Sequence, residues 1–258
     1  GHLIPPVFIL IILLLRGWSL MWAAFWSIVA LVALATLRKL TRMSVRDILE
    51  GLADSTERAL PVAVACAAAG IIYGIIGLTG LGFRVSSGLL ALAAGSKFLV
   101  LLFSMLSGLL LGFAMPPTAA YIILAALVVP SLVEVGLPPL SAHMFIFIFS
   151  CIGPITPPVA LAAYSAAGLA GSDPNRTGFA AFRMGFAAFV IPFLFAYQSE
   201  LLLIGSPVSI TGFVLMTMVG LTLLVIAIEG YVTRRLSWVV RISAFSLSMA
   251  IFLAQSLL

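Results

Sequence analysis

Charge is scarce in this chain: Lys, Arg, Asp and Glu together occupy 21 of 258 positions, or 8%. An ordinary soluble domain carries about a quarter. With 63% hydrophobic residues and a mean hydropathy of +1.28, so few charges cannot cover a soluble globule. That excludes a soluble enzyme, a disordered segment and a nucleic-acid binder, despite the net charge of +5. Two cysteines, Cys66 and Cys151, exclude a disulfide-stapled scaffold and read as small core residues. Two histidines, with no His-Glu-x-x-His and no Gly-x-Gly-Asp, argue against an intramembrane metalloprotease or aspartyl protease. The opening Gly1-His2-Leu3-Ile4-Pro5-Pro6 has no basic n-region, so it is not a signal peptide. The absence of an initiator Met, and a close inside an apolar run at Leu257-Leu258, suggest part of a longer protein.

What remains is long apolar sequence without the alternation of a β-barrel, and the expected class is an all-α polytopic membrane protein. Residues 1–15, 17–37, 59–83, 184–199, 201–228 and 242–258 are free of charge and supply spans. Residues 41–60 hold seven of the 21 charges. Ser44 caps a helix there with Asp47 in its first turn, and Ile48, Leu49 and Leu52 share a face, as in an amphipathic helix at the membrane surface. About eight membrane segments result. The expected organisation is scaffold-type helices at 1–40, an interfacial connector at 41–60, a repeat with broken segments at 61–205 and terminal helices at 206–258. Setting the basic cluster at 38–46 in the cytoplasm places Arg176, Arg183, Arg234 and Arg235 on that side. The turn at Gly205-Ser206-Pro207 then falls outside.

Two gaps between charges are unusual, 98–133 and 135–172. Each is too long for one straight span, and each carries a proline pair near its middle. Aligned on these pairs, Gly112-Phe113-Ala114-Met115-Pro116-Pro117-Thr118-Ala119 matches Gly153-Pro154-Ile155-Thr156-Pro157-Pro158-Val159-Ala160 as G-x-x-x-P-P-x-A. Proline removes an amide donor and crowds the carbonyl four residues back. Carbonyls so freed are tolerated at membrane depth only within protein or beside a watery cavity. Together with the hydroxyls of Thr118 and Thr156 they form oxygen ligands suited to Na⁺, and half-helix N-termini at the same place favour an anionic group. The candidate substrate and ion site is therefore Gly112, Pro116, Pro117, Thr118, Gly153, Thr156, Pro157 and Pro158, with Thr118 and Thr156 as cation ligands. A plain proline kink, satisfied by neighbouring Ser and Thr, is the simpler alternative for either break alone. Glu134, His143 and Lys97 read as interfacial groups near helix ends, Trp18, Trp22, Trp26 and Trp238 as lipid-interface anchors, and Asp173-Pro174 as a helix cap.

At these residues the chain resembles the large membrane subunit of TRAP transporters, specifically the fused permeases that work with TAXI-type binding proteins. The resemblance rests on Gly112 to Ile122, on Ile155 to Tyr164, on Gly168 to Gly178 (GLAGSDPNRTG), and on Pro61 to Gly80 and Ile191 to Tyr197, and covers roughly residues 45–205. It implies an elevator-type, Na⁺-driven secondary transporter of the prokaryotic cytoplasmic membrane, importing small organic anions such as dicarboxylates. It further implies no cofactor beyond the coupling ion, and as partners an extracytoplasmic TAXI-type binding protein, an upstream repeat and a small membrane domain. Gly153-Pro154 stands where relatives often have Ser-Asp, and Pro116-Pro117-Thr118 where they often have Pro-Thr-Thr. The first departure removes an acidic ligand. The alternatives are another elevator-type or proton-coupled anion transporter, an intramembrane enzyme, or a structural subunit.

Overall fold

The structure is a computed structural model that describes residues 4–37 and 43–257. The basic residues Arg38, Lys39 and Arg42, and the end residues Gly1-His2-Leu3 and Leu258, lie outside the described residues. All named elements among the described residues are helical, as the composition requires. Among the described residues, five stretches are long and apolar enough to cross a membrane: Val45–Thr79, Lys97–Ala114, Pro174–Tyr197, Pro207–Glu229 and Trp238–Gln255. Shorter apolar helices fill the remainder, so the chain is a multi-pass membrane protein.

Two compact units divide at Pro61. In the first, α1 (Ile4–Leu15) and α2 (Leu20–Leu37) form a hairpin that turns at Gly17, where φ is +79°. The hydroxyl of Ser27 donates to Pro6 O at 2.6 Å. Trp18, Trp22 and Trp26 are exposed, as lipid-facing anchors are. The connector helix begins where Ser44 predicts: Asp47 N donates to Ser44 Oγ at 3.2 Å, and Ser44 N donates to Asp47 Oδ2 at 2.7 Å. It does not end at Pro61, however. A single helix, α3 (Val45–Thr79), runs through that proline. Pro61 leaves only the carbonyl of Glu57 without its amide, and Glu57 is exposed, so water can satisfy it.

The second unit runs from Val62 and contains α4 (Leu81–Leu92), α5 (Lys97–Ala114), α6 (Pro117–Leu127), α7 (Val129–Glu134), α8 (Pro139–Ile152), α9 (Leu161–Ala170), α10 (Pro174–Met184), α11 (Ala187–Tyr197), α12 (Pro207–Glu229) and α13 (Trp238–Leu257). Helix α8 is the core element, packing against α5, α6 and α11. Its buried positions Ser141, Ala142, Phe145, Ile146, Phe149 and Ser150 recur at three- and one-residue steps, the stripe of a helix that buries one face. Phe145 and Phe149 stack edge-on with Phe193 of α11 at centroid separations of 5.3 and 6.0 Å. Ring edges meet ring faces there, the arrangement aromatic quadrupoles favour. Cys151, expected in the core, is exposed on the opposite face of α8.

Helices α12 and α13 form a hairpin with well-defined ends. Ser206 Oγ accepts from Ser209 N at 3.1 Å, Pro207 opens α12, and Gly230 closes it at φ +66°. Arg241 of α13 folds back on that close, Nε donating to Ala227 O at 2.8 Å and Nη2 to Ile228 O at 3.0 Å. A cation is thus seated on the negative end of the α12 dipole. At the opposite end of the hairpin a buried amide does the joining. Gln255 Nε2 donates to Phe213 O at 3.1 Å and Thr217 Oγ1 at 3.0 Å, and Gln198 donates to Gln255 O.

Candidate transport site

Each overlong apolar gap is broken at its proline pair. Helix α5 stops at Ala114, Met115 and Pro116 are extended (ψ 164° and 143°), and α6 starts at Pro117. Helix α8 stops at Ile152 and gives way to a 3₁₀ turn, Gly153–Ile155. Thr156 is then extended, the Pro157–Pro158 bond is cis, and α9 starts at Leu161. At about 1.5 Å per residue, α6 (11 residues), α8 (14) and α9 (10) are each too short to cross a hydrocarbon layer of about 30 Å.

The two breaks meet. A β-carbon on Gly153 would lie 2.6 Å from Gly112 C and 2.8 Å from Gly112 Cα, and one on Gly112 would lie 2.8 Å from Ser150 O. Four residues earlier, a β-carbon on Gly108 would lie 2.7 Å from Phe149 Cβ. Gly108 pairs with Phe149 and Gly112 with Gly153, so both contacts keep the sequence offset of the repeat. Helices α5 and α8 therefore run in the same direction with the repeat in register. Glycines at 108 and 112 let the backbones approach, as small residues four apart do between membrane helices.

This register disposes of some freed carbonyls and isolates others. Pro116 deprives Gly112 O of its amide, and Pro154 does the same to Ser150 O. A β-carbon on Gly153 would lie 2.6 Å from Gly112 C and 2.8 Å from Gly112 O, so the Gly153 backbone covers that carbonyl. An α-hydrogen of Gly112 is directed at Ser150 O, the nearest atom to a β-carbon built there. Such a Cα–H···O contact supplies about 0.5–1 kcal/mol. Gly153 O accepts from Thr156 N at 2.9 Å. Two carbonyls remain. For Phe113 O, the residues three and four ahead are Pro116 and Pro117; for Pro154 O they are Pro157 and Pro158. Neither has an α-helical or a 3₁₀ donor, and they are equivalent positions of the repeat.

The two threonines differ in setting. Thr156 is buried, and its hydroxyl donates to Ile152 O at 2.9 Å, which leaves the oxygen lone pairs as acceptors. Thr118 is exposed on α6 and lies against α3, its Oγ1 3.4 Å from Cys66 Sγ. No hydrogen bond joins the two threonines among the described residues. Gly112, Gly153 and Thr156 are therefore gathered at one crossing, with Pro116, Pro117, Pro157 and Pro158 shaping its two exits.

Residues outside the expected set brace this crossing. Tyr164 Oη donates to Pro158 O at 2.9 Å, and a β-carbon on Gly178 would lie 2.8 Å from the Tyr164 ring, so α10 holds the ring in place. Ala160 takes a left-handed conformation, φ +35°, with its N–H donating to Thr156 O at 3.0 Å. His143, expected at an interface, bonds through Nδ1 to Tyr121 Oη at 2.9 Å and so ties α8 to α6. Lys97 lies 4.7 Å from the centre of the Tyr197 ring. The spacing Gly108-x-x-x-Gly112 is the one signal in the sequence that could have marked the crossing, and it was not read as such; nothing marks Cys66 as the neighbour of Thr118 or Tyr164 as the neighbour of Pro158.

Residues 2–210 match the family described as the tripartite ATP-independent periplasmic transporter, DctM component. The chain belongs to the DctM component family. It is thus a TRAP transporter permease component, and residues 211–258 extend beyond the matched region. No curated protein and no solved structure matched the chain. The DctM family is one of transporters, consistent with a chain that is not an enzyme. DctM membership implies a substrate-binding protein and a small membrane subunit as partners. The α5–α8 crossing lies wholly within the DctM match.

Proposed function

We propose that this permease component imports small organic anions, dicarboxylates or other carboxylates, into a prokaryotic cell. Na⁺ drives the transport, and a TAXI-type extracytoplasmic binding protein delivers the substrate. The site is the crossing of the two breaks: Gly112, Pro116, Pro117 and Thr118 from one, Gly153, Thr156, Pro157 and Pro158 from the other. The observation that carries the reading is that the breaks are packed against each other while Phe113 O and Pro154 O lack any helical donor. Carbonyl and hydroxyl oxygens of this kind replace the hydration shell of a hard monovalent cation. Thr156 Oγ1 adds a buried acceptor. The first amides of α6, beginning just after the break, suit a substrate carboxylate. An elevator movement carries this site across the membrane.

Proton coupling is the second reading, favoured by the Tyr121–His143 pair. An ionisable group among membrane helices is a proton-path candidate by default.

The test is uptake of radiolabelled organic acids by the full-length protein in liposomes with its binding protein, under an inward Na⁺ gradient or a proton gradient. Uptake that requires both Na⁺ and the binding protein, and that Thr156→Ala shifts to higher Na⁺, is the expected result. Uptake driven by protons alone, and abolished by His143→Ala, would replace the Na⁺ reading with the second.

A further inference from the structure

We propose that the end of the helical bundle formed by α10 and the close of α12 binds an anionic phospholipid headgroup. The depth of the site follows from the helices. α12 has 23 residues, about 34 Å at 1.5 Å per residue, the length of one crossing. Its last residue, Glu229, holds Arg183 of α10, with Nη2 to Oε2 at 2.5 Å and Nε to Oε1 at 3.3 Å. The Arg183–Glu229 pair thus marks the membrane edge. Arg176 stands seven residues earlier on α10, two turns nearer its N-terminus and the polar turn Gly171-Ser172-Asp173 that opens it.

The chemistry at this edge is unbalanced. Among the described residues of α10, α12, α13 and the turns that join them at this end, Arg176, Arg183, Arg234, Arg235 and Arg241 stand with two acids, Asp173 and Glu229. Asp173 Oδ1 is occupied in capping α10 through Arg176 N, at 2.7 Å. Arg183 neutralises Glu229, and Arg241 is bound to the carbonyls of α12. The guanidinium of Arg176 and the amide of Asn175 have no partner among the described residues. Between them and the ion pair lies an open cavity of about 520 Å³ lined by Asn175, Arg176, Phe179, Arg183, Met184 and Glu229.

That lining divides, as a phospholipid does, into a polar and an apolar part. Arg176 and Asn175 offer donors to a phosphodiester, and a guanidinium pairs two oxygens of such a group at once. Phe179 and Met184 are exposed and apolar, and suit the start of the acyl chains. A headgroup that ends in an ammonium sets a cation beside the Arg176 guanidinium, which no side chain pairs among the described residues. A glycerol headgroup does not. Basic pockets between membrane helices recognise anionic headgroups on this principle.

The test is native mass spectrometry of the full-length protein in detergent with equimolar phosphatidylglycerol and phosphatidylcholine of matched acyl chains. Wild type is expected to retain phosphatidylglycerol about fivefold in excess, the effect of roughly one arginine at a membrane surface. Arg176→Gln, at an exposed and unpartnered position, is expected to bring the two lipids to parity with an unchanged melting midpoint. Joint Arg234→Gln and Arg235→Gln substitution is expected to leave the preference intact, and excess glycerol phosphate to leave the lipid bound. Parity in wild type, or a full preference in Arg176→Gln, overturns the site. An equal loss in the Arg234/Arg235 variant makes the attraction a diffuse one. Displacement by glycerol phosphate makes the ligand a soluble phosphate.

Discussion

Gly153 stands so close to Gly112 that a β-carbon on it would lie 2.6 Å from the Gly112 carbonyl carbon. The contact is backbone to backbone, so no side chain can rotate away to relieve an added methyl. Gly153→Ala and Gly112→Ala are each expected to lose about 1–3 kcal/mol of stability through overpacking. Gly168→Ala, where nothing lies within 4 Å, serves as the control and is expected to be neutral or slightly stabilising. Thermal unfolding in detergent, followed by size-exclusion recovery, measures all three. Equal midpoints for the Gly153 and Gly168 variants would show that the breaks do not touch.

The buried Gln255–Thr217 pair joins α13 to α12 at the end away from Arg241. A double-mutant cycle with Gln255→Leu and Thr217→Val is expected to return a coupling of about 0.5–1.5 kcal/mol, the range of interhelical hydrogen bonds in membranes. Zero coupling would mean that Gln255 works through its contact with Phe213 O alone.

Arg241 forks across two carbonyls at the close of α12 and lies 4.5 Å from the Trp238 ring centre. Arg241→Ala is expected to cost about 1–2 kcal/mol, since the side chain is half-buried and both bonds are charge-assisted. Arg241→Lys is expected to recover less than half of it, because an ammonium cannot span both carbonyls in one plane. Melting midpoints of the two variants read this directly, and full rescue by lysine would show that only the charge matters.

Tyr164 acts on the second break at one remove, through Pro158 O. Tyr164→Phe keeps the ring against Gly178 and removes only the hydroxyl. In the uptake assay it is expected to raise the Na⁺ concentration for half-maximal rate roughly tenfold, as loss of an outer-shell partner does at ion sites, with little change in melting midpoint. A fall in stability with unchanged Na⁺ dependence would assign Tyr164 to packing alone.

Much of the architecture was legible from charge spacing. The Ser44 and Asp173 caps, and the breaks at both proline pairs, follow from local chemistry that needs no distant partner. Pro61 was a poorer guide. One missing amide at an exposed turn is cheaply satisfied, so α3 continues, whereas two adjacent prolines remove both the α and the 3₁₀ donor of one carbonyl. Likewise, Thr156 precedes its proline pair and Thr118 follows its own, so they match Met115 and Val159 in the repeat rather than each other, and only Thr156 is buried.

Composition alone makes this chain a helical membrane protein, because the transfer of apolar surface and the need to satisfy backbone amides act residue by residue. The repeat likewise fixes which carbonyls lose their donors, because the missing amide belongs to proline itself. Whether the two copies of the repeat would lie at one depth, side by side and in parallel, was not contained in either copy. That was decided by the fit of Gly108 and Gly112 of α5 against Phe149 and Gly153 of α8, where the missing side chains leave room for one backbone to face the other. Close approach is a property of both surfaces at once, and only the packed structure brings them together.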